Sequence, residues 1–521
     1  MSATKNTSME TSLANSQHQA KMNRYFFNAE GAEGAESSTL QTVNSKRPSL
    51  QFTRLSSLRP LRDLCALCVK KRINSTSRST PRFATGFVVL AIFALIASVA
   101  SAGPEIPGAP QSGPIAIVGA TVHTACGPVI ENGVVVFDSG KLTSVGGADT
   151  AIPGGATRID AKGKHVFPGL IAANSTLGLV EVDSIRATID HTEVGPINPN
   201  VRAQVAVNPD SELIPVTRAN GVLLAQVTPR GQLIQGQSAV VALDGWTWED
   251  MTLAAPVGMH INWPRMSAAR SWEVGIGGQQ PPPENRNEQL TLLRKTFDDA
   301  RAYAKARAGN PNTPLDVRYE ALLQVFDRKL PVFVRADEIV EIQAAVAFAL
   351  KENLKLVIVG GYDAPHAAAL LKEHDIPVVV NSVNRLPMRR SDPFDAPFTV
   401  PERLRQAGVK FCICDGGKFE ASNIRNLPYE AAKAAAYGLP PDEALKSVTL
   451  SAAQILGIGD RAGSLEAGKD ATLFIADGDI LEVATHVEQA FVQGRQVDLS
   501  NRHKRLYEKY QEKQRREGVK R

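Results

Sequence analysis

Apolar and polar positions change their spacing twice along the ordered-looking part of this chain. From Ile115 to Gly169 they alternate in short runs, IAIVGATVHT, NGVVVFDSGKLTSVGG and ATRIDAKGKHVFPG, broken at Asn132-Gly133 and Ser139-Gly140. Alternation punctuated by such dipeptides predicts strands joined by hairpin turns. Further on, short apolar runs are separated by stretches of helical period. KLPVFV (329–334), KLVIVGG (355–361), IPVVVNS (376–382) and VKFCICD (409–415) read as strands. Between them DEIVEIQAAVAFALKENL, APHAAALLKEHD and PERLRQAG read as helices. VFPGLI (166–171) and GVLLAQV (221–227) add two strands upstream. Strands alternating with helices at this spacing predict β/α units, a parallel sheet and a closed α/β barrel. After helices around 427–457 the β pattern returns over 462–498, so a small sandwich is expected whose two halves flank the barrel in sequence.

The first hundred residues follow neither pattern. Segment 1–82 is polar, rich in Ser, Thr and Asn, and aperiodic, and is read as disordered. Segment 83–102, FATGFVVLAIFALIASVASA, carries no charge; Arg72, Arg78 and Arg82 precede it, and Ala100-Ser101-Ala102 closes it as a small-residue cleavage site. This is the layout of an export signal, and predicts an exported protein: periplasmic, extracellular or in the cell envelope. An uncleaved membrane anchor is the alternative, since about 20 apolar residues can just span a bilayer. The expected domains are 83–102 as signal or anchor, 115–165 with 458–498 as the composite sandwich, 166–457 as the barrel, and 499–521 as a charged helical tail.

Charge excludes one class of partner. The net charge of +5 comes from the ends of the chain: the body, 103–500, holds 36 Lys and Arg against 45 Asp and Glu. Such a body offers no basic face for nucleic acid. Cys65 and Cys68 fall before the cleavage site, and Cys126, Cys412 and Cys414 are read as reduced, buried thiols.

Two segments carry a family resemblance: KHVFPGLI (164–171) entering the barrel, and YEAAKAAAYGLPPDEALKSVTLSAAQILGIGDRAGSLEAGKDATLFIADGDIL (429–481) leaving it. Together they resemble the amidohydrolase superfamily, most closely its imidazolonepropionase-like branch, over Ile115 to Asp498. The resemblance implies a (β/α)8 TIM-type barrel with a composite β-sandwich. It also implies hydrolysis of carbon–nitrogen bonds other than peptide bonds by a metal-activated water. That chemistry needs neutral imidazoles and carboxylates around a divalent ion such as zinc, at the C-terminal ends of barrel strands.

The residues at those positions are of other types. Where the family pattern has Asp-x-His-x-His, this chain has Ala172, Asn174 and Thr176. Arg335 follows Pro331-Val332-Phe333-Val334 where a His is common, and Gly360, Gly361 and Tyr362 occupy the next such place. Asp415 keeps the acid of the last strand. No His-x-His occurs among the nine histidines. Amide and hydroxyl oxygens are weak ligands for zinc, and a guanidinium repels a cation. The expected site is therefore Asp415 and Arg335 as the candidate catalytic pair, Asn174, Thr176 and His191 as ligand-binding residues, and no metal. His191, with Asp190 and Glu193, belongs either to a loop over the barrel mouth or to a solvated polar loop. Two functions stand open: a carbon–nitrogen hydrolase, or an exported metal-free pseudoenzyme that binds a small molecule at the barrel mouth or a partner.

Overall fold

The computed structural model describes residues 106–267, 284–416 and 419–518, all within the unit Leu95–Arg521. The segments 1–82 and 83–102, with Cys65 and Cys68, lie outside the described residues. No helix among those described is long and apolar enough to cross a membrane.

Two sheets organise the chain. The first takes β1 (Ile115–Val122), β2 (Ile130–Asp138), β3 (Lys141–Gly146), β4 (Thr157–Asp160) and β5 (His165–Pro168) from before the barrel. It takes β14 (Leu473–Ala476), β15 (Val487–Val492) and β16 (Arg495–Val497) from after it. The halves join where β5 and β14 pair antiparallel, Phe167 opposite Phe474 and Val166 opposite Ile475. Side chains on a strand alternate between faces. Val166, Leu473 and Ile475 accordingly fill the sandwich's own core, while Phe167, Phe474 and Ala476 pack into the core of the barrel. The composite sandwich expected from the sequence is what forms.

The barrel is the eight-stranded sheet β6 (Leu170–Ser175), β7 (Val222–Val227), β8 (Ile234–Ala242), β9 (Thr252–Asn262), β10 (Val332–Ala336), β11 (Leu356–Gly360), β12 (Val378–Asn381) and β13 (Phe411–Cys414). The run 166–171, expected as one strand, is divided at Gly169 between β5 and β6. A side chain there would meet Leu223 and Thr472 at 2.9 Å, so the chain passes from one sheet to the other where there is little room for a Cβ.

Seven barrel strands run parallel. β8 is antiparallel to both neighbours, so β7, β8 and β9 form a meander without crossover helices. Strand β8 occupies Ile234–Ala242 of the Gly- and Gln-rich segment 227–250. Its nine residues are all buried, and a strand covered on both faces loses the alternation that would reveal it. Helices Glu284–Gly309, Val317–Phe326, Ile339–Lys351, Ala396–Ala407 and Leu427–Ala436 accompany the other strands, and the tail is a helix over Arg502–Arg516 with no buried residue. Cys412 and Cys414 are buried and free, whereas Cys126, expected to be buried, is exposed.

Candidate functional site at the barrel mouth

Asn174, next to last in β6, has a φ of +51°, and the register with β7 breaks between Ala172 and Ser175. Asparagine is among the few side chains that tolerate this left-handed geometry. The turn leaves Asn174 buried, 4% exposed, with its main-chain N–H donating to Gln226 Oε1 at 2.9 Å.

A guanidinium sits on that asparagine. Arg230, in the loop after β7, donates from Nη1 to Asn174 Oδ1 at 2.9 Å and from Nη2 to the Asn174 carbonyl at 3.1 Å. Nη2 also makes a short ion pair with Glu420, from the segment after β13. The two side chains are 16% and 13% exposed, so the pair is largely out of water. The pairing draws Glu420 inward.

Beneath Arg230 a chain of polar groups crosses the barrel. Gln226 Nε2 donates to Ser238 Oγ at 3.0 Å, and His260 Nε2 lies 2.8 Å from the same hydroxyl. His260 is stacked on Phe333 and buried. Burial, and then the positive charge of Arg230, push its imidazole down to about 3, so the ring is neutral at physiological pH. On the far side Asn174 Nδ2 stands 3.5 Å from Asn381 Oδ1, at the end of β12. Asn381 in turn donates to the Gly416 carbonyl at 2.9 Å.

Beside this network opens a cleft of about 720 Å³, lined among others by Arg335, Asp337, Asn381, Arg385, Asp415 and Glu430. Asp415 is 5% exposed, as is Glu430. Burial pushes Glu430 up to about 7, against the N–H of Asn384 that it accepts at 2.8 Å and with the help of Asp415's charge. The expected candidates thus come together only in part. Arg335 and Asp415 share the cleft, but Arg335 is exposed, and no ion pair joins them among the described residues. Among the described residues, Arg230 and Glu420 form a largely buried cation–carboxylate pair at this mouth. Thr176 is buried, its carbonyl closing a turn to the N–H of Leu179, and it is not among the described residues lining the cleft.

His191 lines a separate hollow of about 380 Å³ with Asp190 and Glu193. Its imidazole is 2.6 Å from Thr192 Oγ1 and held below its ordinary range by burial and Arg230. Its carbonyl accepts the Arg230 main-chain N–H at 2.6 Å, so the loop braces Arg230 from above.

The fold is an eight-stranded barrel with strand-end residues gathered at its mouth and a sandwich made from both flanks. The Amidohydrolase family matches residues 248–498. An amidohydrolase from Thermotoga maritima MSB8 superposes with a TM-score of 0.65 and 26% identity, covering 74% of this chain and 99% of that one. The chain belongs to the amidohydrolase superfamily. An imidazolonepropionase of Mesorhizobium japonicum is 24% identical over 390 residues, 67% of this chain and 87% of that protein. Amidohydrolase tasK of Hapsidospora irregularis is 23% identical over 403 residues, 70% of this chain but only 39% of tasK's own length.

Members of the superfamily usually bind divalent metals at this mouth. The side chains gathered around Asn174 are not a metal-ligand set. Among the described residues no three His, Cys, Asp or Glu side chains gather as a metal-binding set. The groups that do gather around Asn174 are a carboxamide, a guanidinium with donors and no lone pair, and a carboxylate already neutralised by it. A dication placed there would meet Arg230's charge.

Sequence reasoning missed Arg230, Glu420, Gln226, Ser238, His260 and Glu430. One signal pointed to the first: Arg230 stands three residues past the strand 221–227, where the loops after barrel strands carry function.

Proposed function

We propose that this protein is an amidohydrolase-superfamily barrel in which an arginine–glutamate pair has replaced the metal, and that it binds a small ligand at the mouth. The single observation carrying this reading is the Arg230 fork on Asn174, paired with Glu420. A ligand suited to the cleft is small and polar: its anionic group meets Arg335 and Arg385, and its hydrogen-bonding groups meet Asn381 and Asn384. Arg385 is held only loosely by Asp337, at 3.5 Å, and so is available to a better acceptor.

A second reading, hydrolysis of a carbon–nitrogen bond without metal, is favoured by one observation. Asp415 and Glu430 face the same cleft, and Glu430 is pushed up to about 7. A carboxyl that titrates near neutrality can serve as acid or base beside a second carboxyl group. We propose further that the mature protein is exported after cleavage at Ala102.

Metal analysis of the dialysed protein tests the main reading, with an expected content below about 0.2 equivalents of zinc, iron, manganese or nickel. A stoichiometric metal that survives dialysis overturns it. A panel of small carboxylates and amides, screened by thermal shift and by ammonia or amine release in chelator, then separates binding from metal-free hydrolysis. Amino-terminal sequencing that finds residues before Gly103 retained refutes cleavage.

A further inference from the structure

The opposite, N-terminal end of the barrel carries a larger cleft, about 900 Å³ against about 720 Å³ at the mouth. It lies where β11, β12 and β13 begin. Its floor is apolar, formed by Leu354, Leu356, Ile376, Val409 and Phe411. Leu350, at the end of helix Ile339–Lys351, stands 48% exposed at its edge. The mouth has no comparable floor, being lined by carboxamides, carboxylates and guanidinium groups.

The rim of the lower cleft is cationic. Three of its five Lys and Arg side chains have acidic neighbours: Lys410 with Asp375 at 2.7 Å, Lys446 with Glu443 at 3.4 Å, and Arg405 with Glu402 at 2.7 Å. The other two do not. Arg328 donates to neutral acceptors, Asn353 Oδ1 at 3.0 Å and the Leu354 carbonyl at 3.5 Å. Lys355, exposed between buried Leu354 and Leu356, makes no ion pair among the described residues. Arg328 is hydrogen-bonded to the carbonyl of Leu354, the residue before Lys355, and both cations line the cleft.

We propose that this cleft is a second binding site, for an amphipathic monocarboxylate with a single aliphatic chain. The chain lies on the apolar floor, and the carboxylate sits between Arg328 and Lys355. An apolar floor alone would take any greasy molecule. A surplus of cation at one edge selects the charged end and fixes its direction. The site is of the size that encloses small amphiphiles, and it is independent of the reading given to the mouth.

The test uses the full chain and decanoate below its aggregation concentration, followed by calorimetric titration at low and high salt. Expected are saturable one-site binding that weakens with salt, and at least about tenfold weaker binding in the Arg328→Glu/Lys355→Glu double variant. Both side chains are exposed, so the variant retains its fold, checked by thermal melting. Decanol, which keeps the chain and lacks the charge, is expected to bind at least about tenfold more weakly than decanoate. An Arg335→Ala variant at the mouth is expected to bind decanoate as the parent does. Absence of saturable binding, equal binding by the double variant or by decanol, or loss of binding in Arg335→Ala each overturns the proposal.

Discussion

Replacing Arg230 with Met removes the guanidinium while keeping most of its aliphatic volume. Glu420, 13% exposed, then loses its counter-charge, and Asn174 loses donors to both its side-chain and main-chain oxygens. Removing one partner of a largely buried ion pair costs about 3–5 kcal/mol, because the remaining charge is left in a poorly solvated place. With roughly 400 folded residues and an unfolding entropy of about 2.1 cal/mol/K per residue, that corresponds to a fall of about 4–6 °C in melting temperature. The double variant Arg230→Met/Glu420→Leu leaves no stranded charge and is expected to recover at least about half of the loss. The assay is a thermal melt of the four proteins of the cycle, with reversibility checked by rescanning. A drop below about 1 °C for Arg230→Met, or a double variant no better than the single, would falsify the claim that this pair holds the mouth together. Removing the cation also relieves one of the two influences depressing His260, so its imidazole resonance is expected to titrate at higher pH in Arg230→Met.

Other consequences are as specific. Glu430 is raised from an ordinary 4.5 to about 7, so its protonated form is favoured in the fold. The contribution is present below about 4.5 and lost as pH rises through 7, up to ~3 kcal/mol. Glu430→Gln is therefore expected to gain stability relative to the parent between pH 5 and pH 8, and an unchanged difference across that range would refute the assignment. Gly416→Ala would place a Cβ 1.3 Å from Asn381 Oδ1, so the carboxamide must move and release the Gly416 carbonyl; a loss of about 1–3 kcal/mol in stability is expected from denaturant unfolding. Asn174→Ala breaks contacts to Arg230 and Asn381 and replaces a side chain suited to φ of +51°, and is expected to cost about 2 kcal/mol, more than Thr192→Ala at the exposed His191 loop.

The β/α pattern from 329 to 415 was legible because each strand there is a short apolar run bounded by a helix of visible period. The composite sandwich was legible because its alternation returns after 462. The site was legible only where a strand end could be counted: Asn174, Arg335 and Asp415 do stand at the ends of β6, β10 and β13. Strand β8 was hidden because burial on both faces erases alternation, and with it went Ser238 and the polar chain to His260. Which cation would be buried was equally beyond the sequence. Arg335 occupies the position a family comparison singles out, yet its side chain is exposed, whereas Arg230 lies under a loop and against Glu420, 190 residues away. Local spacing determines which residues reach the ends of strands. Only closure of the barrel, which brings the segments after β7 and β13 across the end of β6, decides which of their charges meet out of water.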